Sequence, residues 1–208
     1  MTIVDTFARA RVAVLDDNRN FQNLMRTLLR QLGFRHVEVF GDPIDALTHV
    51  TEVGVDIAFV GLVMPRQNGI EWVRRVRRLV GVANPDMAIV MVSGLAVRAV
   101  LEPAVAAGVD GFLVKPLSAD TLARHARHAL VERDAYVAGA DGYWGPDSRK
   151  TRLRLHRIER GERRPRPVFV APPSPPPPDR RPDYALSLPG LDVEIVDRTR
   201  YHDAMFID

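Results

Sequence analysis

The chain has 208 residues, which suits one ordinary domain plus an extension. Hydrophobic residues make up 46%, enough for a core, and the lack of cysteine excludes disulfides, thiolate metal sites and cysteine nucleophiles. A formal net charge of +3 is slight for this length, so the global balance says little about nucleic acid.

The opening "MTIVDTFARA" carries an early Asp5 and no long apolar run, unlike a signal peptide. Residues 1–10 are read as an N-terminal extension. "RVAVL" (Arg11–Leu15) is strand-like. A helix follows with Phe21, Leu24, Met25, Leu28 and Leu32 on one face, at a 3.6-residue period. "HVEVF" (His36–Phe40) reads as a second strand. Asp42 and Pro43 then open a helix, the first as cap and the second in the first turn. "DIAFV" (Asp56–Val60) is a third strand. "IEWVRRVRRLV" is helical, with Ile70, Val73, Val76 and Val80 inward and Arg74, Arg75, Arg77 and Arg78 read as a solvated face or a docking patch.

"MAIVMV" (Met87–Val92) is the fourth strand. A helix over 96–107 follows, bent or shortened by Pro103 and ended by Gly108. "GFLV" (Gly111–Val114) is the fifth strand. Ser118 caps a last helix through about Ala129. Five such strand–helix units over 11–132 predict an α/β fold: one five-stranded parallel sheet, doubly wound, with helices on both faces.

After Glu132 this grammar stops. "RKTRLRLHRIERGERRPRP" (Arg149–Pro167) holds nine Arg or Lys and two Glu. "APPSPPPPDRRP" favours extended polyproline conformation. Residues 133–208 are therefore read as a basic, proline-rich, largely disordered tail, with a short strand expected at 191–197.

In open α/β sheets, ligands sit at the carboxyl ends of the strands. Strand one ends in Asp16 and Asp17, strand three at Gly61, strand four at Ser93, and strand five at Lys115 and Pro116. The fold brings these positions to one edge. "VLDDN", "VMPRQNG", "MVSG" and "GFLVKP", in this order and spacing, resemble the receiver domains of two-component response regulators, over about Arg11 to Ala129. "GYWGPDSRK" with "RGERRPRP" resembles in part the tails that follow receivers in some alphaproteobacterial regulators, with Ser148 interrupting the arginine block.

The resemblance implies a flavodoxin-like strand order, 2-1-3-4-5, and roles residue by residue. Asp16 and Asp17 match the acidic pair that holds Mg²⁺, and the Val63 carbonyl matches a further ligand. Ser93 matches the switch hydroxyl, and Phe112 the switch aromatic. Lys115 matches the lysine that pairs with the acids, and its bond to Pro116 is expected to be cis. The phosphate-accepting aspartate of the family falls where this chain has Gly61. A glycine offers no nucleophile. Asp56 is no substitute, because it lies at the opposite end of the same strand. With one carboxylate fewer, Mg²⁺ is expected to bind weakly or not at all.

These readings predict a cytoplasmic, non-enzymatic signalling protein with a vestigial phosphorylation site and no resident cofactor beyond weak Mg²⁺. It would act by contact with protein partners as yet unnamed, and homodimerisation is compatible with the sequence. Two surfaces are candidates: the face of the fourth helix, fifth strand and last helix, and the tail. Two alternatives stand beside this. One is a phosphorelay regulator with a non-standard acceptor. The other is nucleic-acid binding through the basic run, which lacks interleaved aromatics for base stacking. No apolar stretch approaches the roughly 20 residues of a membrane span.

Overall fold

The structure is a computed structural model that describes residues 3–149 apart from 95, 96 and 134. The elements in chain order are α1 (Ile3–Arg9), β1 (Arg11–Leu15), α2 (Arg19–Gln31), β2 (His36–Phe40), α3 (Pro43–Glu52), β3 (Ile57–Gly61) and α4 (Gly69–Val76). They continue with β4 (Ala88–Ser93), α5 (Arg98–Ala107), β5 (Gly111–Val114), α6 (Ala119–Arg127), a π turn (His128–Glu132), β6 (Val137–Ala138) and β7 (Trp144–Gly145).

The main sheet is parallel, as the sequence pattern predicts, and runs β2-β1-β3-β4-β5, the order the family resemblance implies. Alternation along the strands divides the core into two layers. Ala13, Leu15, Ala58, Val60, Ile89, Met91 and Phe112 face α3, α4 and α5. Val12, Val14, Ile57, Phe59, Val90 and Leu113 face α1, α2 and α6. Both faces are covered, so β3 and β4 are buried along their whole length. Trp72 of α4 is fully buried, and its Nε1–H donates to the Pro43 carbonyl at 3.0 Å, tying α4 to the start of α3.

The local start and stop signals act as expected. The Asp42 carboxylate accepts the Ile44 N–H at 2.8 Å, with Pro43 in the first turn. Ser118 accepts the Thr121 N–H at 3.1 Å. Gly108 ends α5 at φ 102°, a left-handed conformation that glycine adopts freely. Pro103 lies inside α5.

Four expectations change. The N-terminal extension is a helix that enters the core: Phe7 is buried and stacks on Phe34 at 4.4 Å. On α2 the buried pair is Met25 and Leu29, while Leu24 faces solvent, because the stripe turns toward β1 and α6. Just past α4, Val80 is almost fully exposed and Arg77, the C-cap, is buried. The helix closes at Val76, and its last bonds tighten to the i→i+3 pattern at Arg78 and Leu79. Beyond that point the helical period no longer governs. Last, the folded unit does not stop at Glu132. Residues 137–145 form an antiparallel hairpin that lies against the domain. The rest of the tail, including the strand expected at 191–197, lies outside the described residues.

Candidate functional site

The carboxyl ends of β1, β3, β4 and β5 meet at one edge, as parallel pairing requires. Asp16 follows β1 and is buried, because the Phe40 carbonyl takes its N–H and the chain then turns into α2. Both of its carboxylate oxygens carry a donor. Oδ1 accepts the Asn18 N–H at 3.0 Å, and Oδ2 accepts Lys115 Nζ at 2.7 Å. Asn18 in turn caps α2 through the Phe21 N–H. The Gln22 amide donates to the Asp16 carbonyl at 2.6 Å.

Lys115 has a second partner that the sequence did not announce. Its Nζ sits 3.5 Å from the centre of the Phe21 ring. The ammonium thus lies against both a carboxylate and an aromatic face, each of which favours its charge. The Lys115–Pro116 peptide bond is cis, as expected. The Lys115 N–H donates to the Ser93 carbonyl at 2.8 Å, which joins β5 to the end of β4. Ser93 is buried at that strand end. Phe112 is buried in the core layer opposite Met91. Asp17 and Val63 are exposed.

Gly61 completes this edge. A Cβ at position 61 would lie 2.9 Å from Asp16 Oδ2 and 3.3 Å from the Leu15 carbonyl. The room a side chain needs there is shared with the Asp16 carboxylate. Gly69, at the start of α4, sits so close to the Gly61 carbonyl that a Cβ there would collide with it. The loop from β3 to α4 is thus closed by two glycines in contact. The Gly69 N–H donates to the Leu62 carbonyl at 2.8 Å.

The sequence pattern of the response regulator receiver domain matches residues 12–127. This chain belongs to that family. It is 28% identical over 115 residues to the chemotaxis protein CheY-3 of Vibrio cholerae, covering 54% of this chain and 85% of that one. It is 31% identical over 107 residues to the cyclic di-GMP phosphodiesterase response regulator RpfG of Xanthomonas campestris pv. campestris. That match covers 51% of this chain and 28% of the relative's length. Among solved structures, chemotaxis protein CheY4 of Vibrio cholerae aligns with a TM-score of 0.54 and 26% identity, over 58% of this chain and 98% of that one.

Receivers hold Mg²⁺ with a carboxylate at position 61 beside the pair at 16 and 17, as the family resemblance implies. The donor set here does not fit that ion. Mg²⁺ needs several hard oxygens in near-octahedral order. Gly61 supplies no side-chain oxygen, and both Asp16 oxygens are engaged by cationic or amide donors. Among the described residues no group of three or more His, Cys, Asp or Glu side chains is arranged to hold a metal.

A second polar centre lies at the opposite end of the sheet. Arg77 donates from Nε to the Gly108 carbonyl (2.9 Å), from Nη1 to the Met87 carbonyl (2.8 Å) and from Nη2 to Asp110 (2.7 Å). Asp110 also accepts the Ile89 N–H at 2.7 Å. Both side chains are almost fully buried. Burial is the largest single influence on Arg77 and opposes its charge, but Asp110 together with Tyr136 and Tyr143 outweighs it and keeps the guanidinium protonated. Tyr136 closes the centre: its hydroxyl is 2.8 Å from Asp110 Oδ1 and 3.1 Å from the Met87 carbonyl. The Trp144 N–H donates to the Arg77 carbonyl, and its indole N–H to Asp86, both at 2.8 Å. A signal for Arg77 was present in the sequence. Residue 77 stands seven after Ile70 and four after Val73, inside the apolar stripe, but its charge argued for solvent.

The Tyr136 hydroxyl is raised above the ordinary 10.0, first by burial and then by the Asp110 carboxylate. A group whose folded value is raised stays protonated in the folded state while the unfolded chain ionises. Its stabilisation is therefore complete below pH 10.0 and is lost as pH rises above that value. Stability measured by urea unfolding is expected to fall steadily above pH 10.0, and Tyr136→Phe is expected to flatten that fall. Tyr143, raised chiefly by burial, adds to the same fall.

Proposed function

We propose that this protein is a receiver that takes no phosphoryl group at position 61 and signals by protein contact. The observation that carries this reading is the pocket itself. Asp16 leans over Gly61, paired with Lys115, and no carboxylate stands at the end of β3. Phosphoryl transfer to a receiver needs a carboxylate nucleophile. In this reading Asp16 and Asp17 are a relict metal pair that binds Mg²⁺ weakly or not at all. Lys115 is their counter-ion, Ser93 has no phosphoryl group to turn toward, and Phe112 packs the core. The protein is then not an enzyme. Its partners meet the α5–β5–α6 face and the segment that follows Arg149. Among the described residues no helix is long and apolar enough to cross a membrane.

The test uses the full-length chain. Incubation with acetyl phosphate and Mg²⁺, followed by intact mass, is expected to leave the mass unchanged. Mg²⁺ in the sub-millimolar range is expected to leave the amide shifts of Asp16 and Asp17 in place. A phosphoryl increment would overturn the reading in favour of a non-standard acceptor. A salt-sensitive gel shift that vanishes on deleting residues 149–166 would instead favour nucleic-acid binding.

A further inference from the structure

We propose that residues 135–147 form a latch, able to open independently of the sheet, which holds the start of the basic segment against the base of the receiver. This goes beyond the pocket reading, and its test needs no partner. Three observations carry it.

First, the hairpin has no stability of its own. Its two strands are two residues each, and a lone two-stranded hairpin is marginal in water even when much longer. It is in place because it is docked. Tyr136 reaches Asp110 and the Met87 carbonyl, and Trp144 reaches Arg77 and Asp86. Glycines at 108 and 145 leave room for Tyr143: a Cβ at either position would come within 2.8 Å of its hydroxyl.

Second, closure covers only part of the segment: Gly145 and Pro146 are buried and Tyr136 and Tyr143 are half-buried. Val137 and Trp144 are each 38% exposed, and residues 138–142 all face solvent. Partial burial and contacts made chiefly through three aromatic residues make the free energy of opening lower than that of the fully buried sheet. Closure also carries a cost. Arg133 stacks over the Tyr136 ring at 4.2 Å, and its Nη1 is buried with no acceptor among the described residues. Opening would hydrate that group.

Third, opening leaves the domain intact. Without Tyr136, Arg77 loses its 3.2 Å bond to that hydroxyl but keeps Asp110 and the carbonyls of Gly108 and Met87, and Asp110 keeps the Ile89 N–H. The buried ion pair belongs to the domain, and the latch only caps it. Two positions of one segment, separated by a few hydrogen bonds, form the kind of two-state element a partner can bias.

Amide exchange on the full-length protein tests the independence. The Trp144 amide, bonded to Arg77, and the Gly139 amide, bonded to Tyr143, are expected to exchange at least about tenfold faster than those of Val14 and Phe59 in the sheet. Tyr136→Phe, and separately Trp144→Phe, are expected to speed the first pair further and leave the second pair unchanged. Equal rates at latch and sheet in the unmodified chain, or variants that speed both together, would overturn the proposal. The absence of cysteine supplies a clean probe of the tail. A nitroxide on Ser148→Cys is expected to broaden the amide signals of Arg78 and Asp86, and Tyr136→Phe to reduce that broadening. Unchanged broadening would show that the latch does not set the position of the tail.

Discussion

Arg77→Met is expected to destabilise the protein by about 3–5 kcal/mol, the usual cost of removing one partner from a buried ion pair. The methionine keeps most of the apolar stem but leaves Asp110 buried without its cation, and it strips donors from the carbonyls of Gly108 and Met87. The same change at Arg75, exposed on the same helix, is expected to cost no more than about 0.5 kcal/mol. Urea unfolding of the two variants compares them directly. Equal midpoints would mean that Arg77 belongs to the solvated face after all. The contrast matters because a sequence of four arginines reads as one surface, whereas here one of them joins α4 to β4 and to the loop before β5.

Gly61→Asp is expected to cost about 1–3 kcal/mol, as overpacking of a well-filled site does. The new Cβ falls on Asp16 Oδ2, and a second carboxylate then competes for Lys115. Asp16→Ala clears that oxygen, so the double variant is expected to be more stable than the two single changes predict. The coupling should lie in the range of about 0.5–3 kcal/mol found for contacting residues. Strict additivity would show that Asp16 turns aside freely and that position 61 is merely open. The measurement decides whether a carboxylate at position 61 is a simple substitution or requires the pocket to rearrange around Lys115.

Much of the pocket was legible because the family motifs and the strand ends coincide. Asp16, Gly61, Ser93 and Lys115 come together as parallel pairing of β1, β3, β4 and β5 demands. The Phe21 face against Lys115 was not legible. Phe21 was read correctly as an apolar residue of α2, but its ring serves as a platform only because α2 begins where β5 ends. The hairpin escaped notice for a different reason. "GYWGPD" combines two aromatics with two glycines and a proline, and without helix or strand periodicity such a stretch reads as loop. Its order comes from what it docks on, and that surface is built by residues from α4, β4 and the loop before β5.

By itself, then, the sequence determined the five strand–helix units and the glycine at the end of the third strand. Strand and helix periods are local properties of the backbone, and a missing side chain is visible without a fold. The tertiary structure alone decided which charges are buried and which segments are held. Arg77 meets Asp110 across 33 residues and Lys115 meets Asp16 across 99, and separations of that kind leave no local pattern to read. A charge in solvent and a charge in a buried pair are spelled with the same letter. Burial and the partner's position distinguish them, and both are set by packing.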